Sequence, residues 1–111
     1  MNPTLQQIHG LLLAQHAALA KYLMADANLD RAKAMVMEKQ EIFQRINLVQ
    51  SLLFRQNSQK LEKSLVGIQA ADGALTMSLK AIANITGFLN AATKFLATVD
   101  QAIDNAKSPV V

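Results

Sequence analysis

Leu61, Ile68, Leu75, Ile82, Leu89, Leu96 and Ile103 recur every seven residues without a slip. A seven-residue apolar repeat marks one helix face packed along a seam, as in a coiled coil. Leu65 and Leu79 add a second row in the first half. The register passes unchanged through Asp72-Gly73, a dipeptide that elsewhere favours a turn. A loop would preserve the phase only by coincidence, and a glycine inside a helix costs only about 1 kcal/mol against alanine. The seam therefore predicts one continuous helix over about 59–106, on the order of 70 Å long at 1.5 Å per residue. After Ile82 the second row turns polar at Thr86, Thr93 and Asp100, and apolar weight moves to Ile85, Phe88, Ala92, Phe95 and Val99. The sequence reading of that swap is a change of packing neighbour along the helix.

The two prolines, Pro3 and Pro109, stand at the ends of the 111-residue chain, so the strongest helix breaker is missing from everything between. Asn2-Pro3-Thr4 suits a helix start and Ser108-Pro109 a helix end. A first apolar stripe reads Leu5, Ile8, Leu12, Leu19, Leu23. A second reads Leu29, Ala32, Met35/Val36, Ile42/Phe43, Ile46, Val49, Leu53. At 100° per residue the two stripe centres differ by roughly 150°, which one straight helix cannot aim at one core. The chain should therefore turn near Asp26–Asp30, with Asn28 or Asp30 capping the next helix. The polar run Arg55-Gln56-Asn57-Ser58-Gln59 marks a further break, with Asn57 closing one helix and Ser58 capping the next.

The expected fold is one all-α domain over residues 1–111, an antiparallel bundle of three helices with a long third helix, over about 4–25, 29–56 and 59–106. The alternative is a compact four-helix up-down bundle with a break at Asp72-Gly73. Composition agrees with the class: 51% of residues are hydrophobic, only 5% are aromatic, and Trp is absent. With no cysteine, disulfides and thiolate chemistry are excluded. The first lysine is Lys21, so no basic segment precedes Leu11-Leu12-Leu13, and a secretory signal is not expected. The chain is read as cytoplasmic.

Three helices of unequal length leave part of the third uncovered. Its far end, with Ile85, Phe88, Leu89, Phe95, Leu96, Val99 and Ile103, would project as an apolar contact stripe for a second copy or another protein. Met24, Met35, Met37 and Met77 would add adaptable apolar surface. Three polar residues fall on inward stripes: Gln15, Lys39 and Asp72. Reflecting positions about the two turns places them at one level, where they would form a buried polar layer that sets register. The bland alternative is that Lys39 snorkels to water and Asp72 faces solvent.

Little in the chain suggests chemistry. His9 and His16 are separated by about 10 Å of helix rise, too far to share a metal ion. The glycines form no phosphate-cradling motif, and the serines lack a base at a telling spacing. No catalytic residue, cofactor or metal site is expected. The net charge of +3 arises between residues 28 and 60, where six basic residues face three acidic ones. Those charges interleave at helix-pair spacings instead of clustering as a phosphate-binding stripe, which argues against nucleic acid. Residues 81–99 approach the length of a membrane span, but Lys94 lies inside them. The reading is a non-enzymatic protein-interaction or assembly module, adaptor-like or chaperone-like; a membrane-active helical protein is the alternative.

Overall fold

The computed structural model describes residues 1–55 and 59–107. It contains four helices: α1 (Pro3–Ala25), α2 (Leu29–Leu52), α3 (Gln59–Lys80) and α4 (Ile85–Lys107). The protein is an all-helical bundle. The expectation of three helices is corrected on one point. α3 runs uninterrupted through Asp72-Gly73, but the seam helix ends at Lys80 and reverses over 81–84. The four-helix alternative is right in number and wrong in the position of its break. The second helix ends at Leu52, not at 56, and residues 53–55 turn away from it. The expected closing residue Asn57, the expected cap Ser58 and Ser108-Pro109 lie outside the described residues.

The helix starts follow side-chain chemistry. Asn2 caps α1 by accepting from the Leu5 amide at 3.1 Å, with Pro3 in the first turn where its missing N–H is no loss. Asn28 caps α2 by accepting from the Arg31 amide at 3.0 Å. In the intervening turn Arg31 grips Asp26 through Nε at 2.7 Å and an NH2-group nitrogen at 2.9 Å. These bonds and one from the Asn28 amide hold the Asp26 carboxyl below its ordinary pKa. At the 81–84 reversal no proline or positive-φ glycine is needed. The Ala81 and Asn84 amides turn back onto the Ser78 and Ala81 carbonyls at 3.2 and 3.0 Å. The Asn84 side chain then accepts from the Gly87 amide at 3.0 Å, which satisfies an orphan donor at the start of α4. A Cβ on Gly87 would lie 2.8 Å from the Asn84 amide nitrogen, so Gly87 keeps this cap open.

The connections span residues 26–28, 53–58 and 81–84. None is long enough to run back along a helix of about 33 Å, so successive helices alternate in direction. α1 packs on α2 and α3, and α4 packs on α3 and α2. The order around the bundle is thus α1–α2–α4–α3, with α2 and α3 at opposite corners. α1 and α3 run parallel, as do α2 and α4. The bundle measures 49 × 20 × 16 Å. Its core takes Leu5, Ile8, Leu12 and Leu19 from α1, and Met35, Ile42, Ile46 and Val49 from α2. α3 adds Leu61, Ile68, Leu75 and Leu79; α4 adds Phe88, Phe95, Leu96, Val99 and Ile103.

Two substitutions check this account. Gly73 sits in helical backbone with open space at its Cβ position, so Gly73→Ala should raise stability by about 1 kcal/mol. A loss in urea denaturation would show a turn there instead. Asn84→Ala should cost about 1 kcal/mol through the lost cap, read as a lower urea midpoint at unchanged slope.

Candidate functional site

The seven residues read from the sequence as a contact stripe lie in the bundle. Phe88, Phe95, Leu96, Val99 and Ile103 are buried, and Ile85 and Leu89 are partly buried against the same core. Because α4 folds back at 81–84, its apolar flank faces α2 and α3 of its own chain. The projecting stripe is replaced by an internal one. Among the described residues no helix is long and apolar enough to cross a membrane.

The structure brings together two of the three polar-layer residues. Gln15 is buried and donates through Nε2 to the Asp72 carboxylate at 2.8 Å and to Thr76 Oγ1 at 3.0 Å, with the Asp72 carbonyl at 3.3 Å. Its Oε1 is buried without a partner. Lys39 is not in this layer. Projection about the turns assumed that α2 neighbours α3, but the two helices occupy opposite corners, so Lys39 cannot reach Asp72. It flanks α1 instead, half-buried in a hollow of about 330 Å³ with His16, Leu23, Val36, Gln40, Phe43 and Gln44. The His16 ring lies against Phe43, centroids 5.9 Å apart and tilted 41°. Burial, and then the Lys39 ammonium, push the His16 pKa below its ordinary value.

That hollow belongs to a wider apolar face. α1 is apolar on both sides. Opposite its core stripe it exposes Gly10, Leu13, Ala14, Ala17 and Met24, and its one formal charge is Lys21. Leu13 is 47% exposed and Met24 90%. α2 adds Leu29, Val36 and Phe43 at seven-residue spacing, 66%, 39% and 53% exposed. The sequence stripe for α2 had paired Val36 with Met35 and Phe43 with Ile42; the core takes Met35 and Ile42 and leaves their neighbours outside. A readable signal existed in the near absence of charge from α1. A one-sided surface helix normally carries its charges on the outer face. Elsewhere, Val66 and Met77 on α3 are exposed but stand about 16 Å apart along the helix.

A second hollow lies between α2 and α4, lined by Met37, Glu38, Glu41, Arg45, Thr93, Leu96, Ala97 and Asp100. Arg45 reaches across it to Asp100 at 2.9 and 3.1 Å and also pairs with Glu41 one turn back. Glu38 is partly buried beside this cluster, with Oε2 unpartnered. Burial, then repulsion from Glu41, raises its pKa, and Arg45 only partly opposes them.

The remaining chemical candidates have structural duties. Ser51, Ser64 and Ser78 donate to the carbonyls of Leu48, Lys60 and Leu75. Among the described residues no three His, Asp or Glu side chains gather to hold a metal ion. Comparison with protein-family models, curated proteins and solved structures finds no significant match.

Glu38 gives a pH-dependent expectation. Its folded pKa is raised, so its contribution to stability is full below the unfolded pKa and is lost as pH rises through the folded value. Glu38→Gln should therefore stabilise the bundle at pH about 7 by on the order of a few tenths of a kcal/mol, since water screens the half-exposed charge. At pH about 4 the gain should vanish. Urea titrations of both proteins at the two pH values check the sign.

Proposed function

We propose that this chain is a non-enzymatic helical interaction module, adaptor-like or chaperone-like, acting in the cytoplasm by contact with another protein chain or a second copy of itself. The contact face is the outer side of α1 with the adjoining flank of α2. One observation carries this reading: from Gly10 to Ala25 the outer side of α1 is apolar apart from Lys21, yet the bundle covers only the opposite side. A surface helix normally carries polar and charged residues along its outer face. Exposed apolar surface running over Leu13, Met24, Val36 and Phe43, beside a hollow of about 330 Å³, supports docking at this face.

The folding role and the contact role fall on different residues, which makes the reading testable. Phe88→Asp places a charge in the core and should unfold the protein, at a cost above about 4 kcal/mol. Phe43→Asp changes an exposed side chain and should alter stability by less than about 1 kcal/mol. A photo-crosslinking residue installed at Ala17 should give a discrete protein adduct in cells, and the same residue at Gln69 on α3 should not. Phe43→Asp should abolish the Ala17 adduct without changing the melting temperature. Equal labelling from both positions, or none from Ala17, would remove α1 as the contact face.

A further inference from the structure

We propose that the occupant of this face is an acidic amphipathic helix laid along the furrow between α1 and α2. The inference rests on the reading of that face as an interaction surface, and it adds the chemistry of the partner. The cations of the face outnumber its acids. α1 contains no acidic residue, and α2 contributes Lys33 and Lys39; Lys21 of α1 projects on the side away from Leu23. Of the three acids of α2, Glu38 and Glu41 line the hollow toward α4, and exposed Asp30 stands at the end of the helix, one turn before Lys33. At the end of the furrow Asp26 is already committed to Arg31. Lys39 is half-buried in the wall of the furrow and makes no ion pair among the described residues. A carboxylate arriving there gains a partner that is already partly stripped of water, which strengthens the pairing.

Charge also selects against the other occupants. A second copy docked face to face would bring Lys33 and Lys39 toward their own kind, and like charges across an interface oppose association. An anionic lipid surface would match the sign, but membrane-binding helices press projecting apolar side chains into the bilayer. Here His16, Leu23, Val36 and Phe43 line a concavity. A concave strip between two packed helices accepts the ridge of a third. On the α1 side the wall is low at Ala20, which lies between His16 and Leu23 on the same face and carries little side chain, so a partner backbone can come close.

The test uses the full chain, isotopically labelled, and two designed helical peptides of about 20 residues, long enough to follow the furrow for about 30 Å. They share a leucine face spaced i, i+3, i+4, i+7 and differ in their outer residues, all Glu in one and all Lys in the other. The Glu peptide should bind and shift amide signals over residues 13–23 of α1 and 32–43 of α2, with affinity that falls as salt is added. Lys33→Glu together with Lys39→Glu should weaken it by at least about tenfold and admit the Lys peptide. If the double variant does not fold, Lys33→Glu alone, at an exposed position, should shift the preference in the same direction. Equal binding of both peptides, shifts confined to other helices, or no binding of either would overturn the acidic-helix inference. So would anionic vesicles binding where the peptides fail, or dimerisation through the same amides. The contact face itself is read separately by the Ala17 adduct: an adduct without charge preference leaves the face and removes the acidic helix.

Discussion

The bundle depends on a four-residue reversal. At 81–84 the backbone turns on two tight amide-to-carbonyl bonds, and Asn84 restarts the helix by holding the Gly87 amide. Without that reversal the helix would carry the apolar flank of α4 beyond the bundle into water. With it, Phe88, Phe95 and Val99 enter the core beside Leu75 and Leu79. Most of the interior of the second half thus depends on a short turn, Ala81 to Asn84, whose one polar residue is Asn84 and which contains no proline.

The same turn explains what was legible and what was not. The starts of α1 and α2 were readable because Asn2 and Asn28 carry the capping chemistry in their own side chains. The passage of α3 through Asp72-Gly73 was readable because the seam keeps its phase there. The reversal was hidden because the seam keeps its phase across it too: Leu75 and Leu79 before it and Leu96 and Ile103 after it face one core from opposite directions. The visible trace was the movement of apolar residues to the Ile85, Phe88, Ala92, Phe95 flank. That movement records a second helix with its own inward face, where the sequence reading took it for a new neighbour. The contact residues followed this error. The polar layer was half legible because sequence spacing gives the level of a residue along a bundle but not the order of helices around it.

Two polar ties join the halves of the molecule. Between the parallel helices α1 and α3, buried Gln15 holds Asp72 and Thr76. Between the parallel helices α2 and α4, Arg45 holds Asp100. Leucine and isoleucine faces tolerate sliding by a turn, whereas a directional hydrogen bond is lost on sliding. Each seam between the two hairpins therefore has one feature that fixes its register.

The Asn2 amide and side chain reach the carbonyls of Leu53 and Arg55 at 2.7 and 3.2 Å. The first hairpin is thereby fastened at both ends, by the Asp26–Arg31 turn above and by this clasp below. Its contacts beside the Asp26–Arg31 turn are close in sequence and cheap in loop entropy, and the two helices can zip from there out to the Asn2 clasp, whose partners are 53 positions apart; the ties between hairpins, 57 and 55 positions apart, have no such short-range start. The order of events this favours is two hairpins forming separately and docking last. During that interval α1 and α2 would already present their outer furrow in finished form, before the core behind them is complete.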